Sequence, residues 1–347
     1  MLTFTKVVFN KAIFICAGVL GLVANGHAQT AAEFYKGREV HMLVGAAAGG
    51  GYDTYARFYA RHLPEFLPGI RMIVENLPSA GGLSMENTLY AQSPRDGSVI
   101  AHADGSLVTA DLFGVPGARF KAQEFTWIGS MNSEVGMSVS WHTSPVKTAA
   151  DLFTHELIVG GTAANSANVI FPSAMNNLLG TKFKIIPGYT TTATIAAAIE
   201  RGEVEGTGSW HYSSIVTGKP DWLRDHKINL LIQLSLKRHP AVPDVPTVIE
   251  LAHNDQERAV LELIFAQQQV GRPIFAPPKI PADRVEALRA AFKAMMNDPA
   301  VLQEAQSRKL EINQPMAGDE IAALVDRLHA MPAETIKRAT AATQRPD

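Results

Sequence analysis

The sequence predicts an α/β protein folded as two lobes, each a sheet flanked by helices. Three observations predict it. Short apolar runs of strand length alternate with segments of helical periodicity along most of the chain, the pattern of parallel sheets with crossover helices. Glycine-rich turns sit at several of the strand-to-helix junctions. The chain of 347 residues exceeds the span of a single hydrophobic core, so two lobes are the default expectation.

Residues 1–28 read as a leader. Lys6 and Lys11 precede the apolar run Ala12–Ala24, and small residues follow, ending in Gly26-His27-Ala28. That is the order of a secretory signal peptide, and the apolar run is shorter than the roughly 20 residues a membrane-spanning helix needs. The single cysteine, Cys16, lies inside this run without the small preceding residues of a lipoprotein anchor. An exported chain starting near Gln29 therefore has no thiol, which excludes disulfides, thiol chemistry and thiolate metal sites. Removing two lysines leaves 29 basic against 33 acidic residues, a net charge of −4, which argues against a nucleic-acid surface.

The elements follow in order. Val40–Val44 is a buried strand, and a helix from Asp53 carries Tyr55, Phe58, Tyr59 and Leu63 on one face. Arg71–Glu75 is the next strand, Pro78–Gly82 a turn, Ser84–Ala91 a helix, and Ser98–His102 a third strand. The middle repeats the pattern as a second sheet, with strands Leu157–Gly161, Lys184–Tyr189, Val204–Ser209 and Ile228–Ser235 and the helix Ala193–Arg201. Beyond the proline-rich passage Pro240–Pro246 the chain turns helical over Gln256–Gln269, Ala282–Met296 and Asp319–Leu328. Asp298-Pro299 supplies a cap and first-turn proline for another helix.

The segment Gly45–Gly51 joins a strand end to a helix start, where unpaired N–H groups and the positive end of the helix dipole favour an anion. Ala47, Ala48, Gly49, Gly50 and Gly51 would let a ligand approach the backbone, with Tyr52 and Asp53 beside it. A plain tight turn with Asp53 as the helix cap explains these residues equally well. Nucleotides are disfavoured, because Tyr52-Asp53 stands where a P-loop needs Lys followed by Ser or Thr, and the glycines lack dinucleotide spacing. Ser79, Ala80 and Gly81 form a second turn at the same sheet edge. In the second lobe Thr162, Asn165 and Ser166 offer hydroxyls and an amide at another strand-to-helix junction, and Tyr189, Thr192 and Trp210 lie at further strand ends. Donors without a fixed cation suit a carboxylate or a neutral polar ligand. For catalysis, Ser209, His211 and Asp53 are the only conceivable set, and nothing in their spacing points to a triad.

The runs Val40–Asp53 with Ala56-Arg57, Val74–Gly82, Pro94–Gly97, Gly202–Glu205 and Pro243–Val248 resemble the substrate-binding subunits of tripartite tricarboxylate transporters, also called Bug proteins. The resemblance implies a type II periplasmic-binding-protein fold, two Rossmann-like lobes closing on a ligand. It assigns residues 29–132 and 236–347 to lobe 1, with the C-terminal helices packed back on it, and 133–235 to lobe 2. It implies a small organic acid held by backbone amides and water from Ala46–Asp53 and Ser79–Gly82, with lobe-2 contacts at Thr162–Ser166, Tyr189 and Thr192. Asp53 would order the turn or its waters. The chain departs from the family at Ala48, at Thr190-Thr191, at Gly208-Ser209-Trp210 and over Glu257–Arg272, which leaves the ligand open between a di- or tricarboxylate and an aromatic or larger acid. The expected protein is a periplasmic monomer without metal or cofactor that serves integral-membrane transporter subunits. A sensor presenting its bound ligand to a signalling receptor and, less favoured, an exported hydrolase are the alternatives.

Overall fold

The computed structural model describes residues 29–164 and 166–344, together with Met1 and Thr3. The expected signal peptide otherwise falls outside the described residues, as does Asn165. The strands are β1 (Glu39–Val44), β2 (Arg71–Asn76), β3 (Val99–His102), β4 (Thr126–Ser130), β5 (Gly136–Trp141), β6 (Leu157–Gly160), β7 (Phe183–Ile186), β8 (Gly206–His211), β9 (Ile228–Leu234), β10 (Pro273–Ala276) and β11 (Met316–Ala317). The helices are α1 (Ala31–Tyr35), α2 (Gly51–Phe66), α3 (Leu83–Ala91), α4 (Ala167–Leu179), α5 (Thr192–Glu200), α6 (Tyr212–Gly218), α7 (Pro220–Arg224), α8 (Asp255–Phe265), α9 (Ala282–Met296), α10 (Pro299–Ser307), α11 (Gly318–His329) and α12 (Ala333–Thr343).

The strands form two sheets, in orders β11-β4-β10-β3-β1-β2 and β7-β6-β8-β5-β9. The alternation of strand and helix leads to parallel pairing where it is local: β1 with β2 and β3, and β6 with β7 and β8. Both sheets are nevertheless mixed. Strands β10 and β5 pair antiparallel with their neighbours, and neither β4, β5 nor β10 was expected from the sequence. They flank the two passages between the sheets, residues 131–135 and 235–272. A strand entered from the other lobe has no crossover helix to turn it parallel.

Packing follows the helical spacing of α2. Tyr55, Phe58, Tyr59 and Leu63 are all buried, and Tyr59 lies against Phe292 of α9 with ring centroids 6.3 Å apart. Phe292 in turn sits on Gly129 of β4, where a Cβ would fall 2.3 Å from the ring. Burying each such aromatic contributes about 1.5–3 kcal/mol. Asp298 caps α10 as expected, accepting from the N–H groups of Ala300 and Val301. Helix α2 begins earlier than expected, at Gly51, with Gly50 as its cap; Asp53 is the third helical residue. Strand β7 stops at Ile186, where Pro187-Gly188 breaks the ladder.

Residues 236–347 do not all return to the first lobe. Helices α9 and α11 pack on β4, but α12 packs on α4 and α8. The Asn177 side-chain amide donates to the carbonyls of Ala342 and Gln344, both at 2.9 Å. The cause is local: α8 sits beside α4, with Phe265 on Phe171 at 4.7 Å, and the small residues Ala339 and Ala342 of α12 close over this apolar pair of helices. The two passages between the sheets are themselves paired. Gly271 N–H donates to Asn132 O at 3.1 Å, Met131 N–H to Arg272 O at 3.1 Å, and Glu134 N–H to Gln268 O at 2.9 Å.

Candidate ligand site between the lobes

The turn after β1 is braced from beneath. Asp53 is 4% exposed, and its carboxylate accepts from Gly49 N–H (2.8 Å), Arg57 Nε (3.0 Å) and Asn76 Nδ2 (2.9 Å). The same Asn76 amide nitrogen donates to Ala46 O at 3.0 Å, and its oxygen accepts from Arg57 Nη2 at 3.1 Å. Burial pushes the Asp53 carboxyl upward, but these hydrogen bonds outweigh it and hold the pKa below the usual carboxylate range. Asp53 is thus committed to the turn. Gly49 adopts the left-handed conformation (φ +81°). Gly45 meets the second glycine turn backbone to backbone, since a Cβ on it would lie 3.0 Å from Gly82 Cα.

A cavity of about 250 Å³ opens in front of this turn. Gly51, Tyr52 and Asp104 line it from the first lobe, Thr162, Ser166, Thr192, Trp210 and His211 from the second, and Arg272 from the passage between them. Its size falls below the roughly 300–1,000 Å³ of sites for drug-sized ligands and suits a small metabolite. A larger hollow of about 1130 Å³ lies beside α9 and the start of α11. It is confined to first-lobe elements, so lobe closure would not enclose it.

Six of the expected residues meet at the cavity: Gly51, Tyr52, Thr162, Ser166, Thr192 and Trp210. Ala47, Ala48, Gly49 and Gly50 occupy the exposed turn just before it. Ser79, Ala80 and Gly81 belong to a short 3-10 turn at the same sheet edge, with Ser79 and Gly81 outside the cavity wall. Tyr189 also stands back from the cavity, its ring 3.3 Å from where a Cβ on Gly160 would be. The Thr162 N–H and hydroxyl and the Ser166 hydroxyl all donate to Asn168 Oδ1, at 2.9, 3.1 and 2.6 Å. Trp210 is 8% exposed and edge-on to Trp222 at 5.7 Å, so most of it is core.

Three ionisable residues that sequence reasoning left without a role, Arg272, Glu134 and Asp104, dominate the site, with His211 beside them. Arg272 is 1% exposed, and its Nη2 lies 2.7 Å from Glu134 Oε1. The guanidinium is sandwiched between the rings of Tyr52 and Tyr55, 4.5 Å from each centroid. Its Nη2 and Nη1 lie 3.6 and 3.9 Å from where a Cβ on Gly51 would be, and its Nε has no hydrogen-bond partner. Glu134 also accepts from Ser213 Oγ at 3.0 Å and Asn132 Nδ2 at 3.2 Å. Burial pushes the Glu134 carboxyl up, yet the Arg272 charge and these donors hold it below the usual range. Burial likewise opposes the charge on Arg272, and Glu134 restores it, so the pair is ionised.

Asp104 accepts from the Tyr52 hydroxyl and, at 2.8 Å, from Ser106 N–H. Burial works against its ionisation, but the Tyr52 hydrogen bond and the neighbouring His211 keep its pKa lowered. His211 Nδ1 stands 3.8 Å from Glu134, beyond hydrogen-bond reach. Asp53 is tied to its turn and Ser209 is 4% exposed, so Ser209, His211 and Asp53 do not join in a nucleophile–base–carboxylate relay. The signal for Arg272 was its place at the mouth of the apolar strand Pro273–Ala276, where an unpaired charge would be costly.

The profile of the tripartite tricarboxylate transporter family receptor (TctC) matches residues 56–337. The chain belongs to this receptor family. A UPF0065 protein from the TAR-I ttuE-ttuC' intergenic region of Agrobacterium vitis is 27% identical over 305 residues, 84% of this chain and 80% of that protein. A UPF0065 protein from the gbd 5' region of Cupriavidus necator is 25% identical over 84% of each chain. Among solved structures, a TctC solute-binding protein from Polaromonas has a TM-score of 0.64 at 20% identity, covering 87% of this chain and 97% of that one. MatC from Rhodopseudomonas palustris with bound malate has a TM-score of 0.64 at 22% identity over 88% and 99%. An R. palustris protein with adipate has 0.65 at 19% identity over 87% and 97%. The receptor is therefore a two-lobed periplasmic-binding-protein fold of a solute-binding family. No helix among the described residues is long and apolar enough to cross a membrane.

Proposed function

We propose that this receptor, exported by the signal peptide read at residues 1–28, captures a small organic carboxylate between its lobes in the periplasm. It then delivers that ligand, as a monomer and without chemical turnover, to the membrane subunits of a tripartite tricarboxylate-type transporter. The observation that carries the reading is the seat at the N-terminus of α2. There Gly51, the first residue of α2, lines the cavity at the positive helix end, and the buried Arg272 guanidinium lies 3.6 Å from where a Cβ on it would be. Planar guanidinium and backbone donors suit a carboxylate, and the second-lobe hydroxyls of Thr162, Ser166 and Thr192 face it from across the cleft. Binding in the cleft stabilises the closed form by mass action.

The test is a thermal-shift screen of the purified protein against mono-, di- and tricarboxylates, aromatic acids, amino acids, sugars and divalent cations. Carboxylates should raise the melting point and be recovered unchanged. A shift with sugars or cations alone would sink the reading, and so would conversion of the bound acid to a product.

A further inference from the structure

The cleft holds one more negative charge than its own cation balances. Arg272 is committed on one side to Glu134 at 2.7 Å. Asp104 faces the same cavity from the first lobe, and its hydrogen bonds come only from neutral donors, the Tyr52 hydroxyl and Ser106 N–H, with His211 nearby supporting its charge without bonding it. Among the described residues no lysine or arginine forms a salt bridge with it. The groups around it are the rings of Tyr52 and His211, whose centroids lie 6.4 Å apart. A buried carboxylate with neutral donors and no salt bridge favours a cationic nitrogen brought to it by a ligand. A plain dicarboxylate would bring a second like charge against Asp104, which is the repulsive element that specificity requires.

We infer that Asp104 is the specificity-determining residue of the cleft, selecting small organic acids that carry a protonated nitrogen over acids that carry none. This rests on the carboxylate-receptor reading above: the acid group takes the seat between Gly51 and Arg272, and the ammonium takes Asp104. Two independent features support the two ends. The anion end combines the start of α2 with the unpartnered Nε of a side chain 1% exposed. The cation end is a carboxylate lining the cavity with no lysine or arginine among the described residues in a salt bridge to it.

The test compares ligand pairs that differ only in the amino group, by titration calorimetry at about pH 8, where an ordinary imidazole is neutral. The pairs are glutamate with glutarate and γ-aminobutyrate with butyrate. At least one amino-bearing member should bind ten times or more tighter than its partner. In Asp104→Asn that advantage should fall at least tenfold while the plain acid binds as well or better, and an unchanged melting point of the ligand-free variant shows that its fold is intact. Equal affinity within both pairs, or discrimination that survives Asp104→Asn, overturns the assignment and leaves the carboxylate receptor standing. If none of these four acids binds while another acid shifts the melting point, the assignment falls and the receptor reading stands; if no acid of the wider screen binds, both fall.

Discussion

Glu86 should make the protein less stable as the solution becomes alkaline. It lies in the first turn of α3, 4% exposed, with its Oε1 3.6 Å from where a Cβ on Gly82 would be. Burial, aided by the Asp104 charge, pushes its carboxyl from an ordinary 4.5 up to about 8. Between those values the folded chain keeps a proton that the unfolded chain has released. The contribution is therefore fully present below about 4.5 and is lost as pH rises through about 8. At about 1.4 kcal/mol per pKa unit the whole shift corresponds to at most roughly 5 kcal/mol. Glu86→Gln keeps the shape of the neutral carboxyl and removes the titration. It should match the parent near pH 4 and exceed it by about 2 kcal/mol or more near pH 8.5. Urea melts of both proteins across this range measure the difference directly. Parallel curves differing by less than about 0.5 kcal/mol throughout would falsify the reasoning, since that is the size of an ordinary surface substitution.

Other perturbations test the site. Glu134→Ala leaves Arg272 buried without its counter-charge and should cost about 3–5 kcal/mol in denaturant melts, whereas replacing both partners with apolar residues of similar size should recover much of that loss. Asn76→Ala removes the amide shared by Ala46 and Asp53; it should cost about 1–3 kcal/mol and weaken ligand binding, and an unaltered affinity would show that the brace does not shape the seat. Gly51→Ala adds a Cβ where the nearest neighbours are 3.6 Å or more away, so its melting point should stay close to the parent's while calorimetry finds ligand affinity weakened. Gly129→Val drives a side chain into the Phe292 ring and should destabilise by about 1–3 kcal/mol without changing ligand selectivity.

The local grammar of the chain was readable. Strand, glycine turn and helix follow one another in the order that builds a parallel βαβ unit, and the quoted motif residues Arg57 and Asn76 turn out to be the props of the Gly45–Gly50 turn. What escaped depends on residues distant in sequence. Nothing near Glu134 announces Arg272, because their attraction exists only once the two passages lie side by side. Antiparallel β5 and β10 were hidden for a related reason, since strand direction is set by which lobe the chain arrives from. Trp210 was read as a mark of an aromatic ligand; it lines the cavity and also packs edge-on against Trp222, on a later helix, within the second-lobe core. Asp104 sits in Ala103-Asp104-Gly105, a sequence that reads as an ordinary turn. Only the cavity reveals which way that carboxylate looks.

The position of α12 has a mechanical meaning. Two chain passages at the back of the cleft define an axis about which the lobes can swing. The short link through Met331 and Pro332 is a third connection, running from α11 on the first sheet to α12 on α4. A third tie between the lobes limits how far they can turn apart. Its length, and not the stiffness of the pivot, would then fix how wide the jaws open and how fast a captured molecule is let go. Inserting a few glycines after Ala330 should speed release with every residue that touches the ligand left in place.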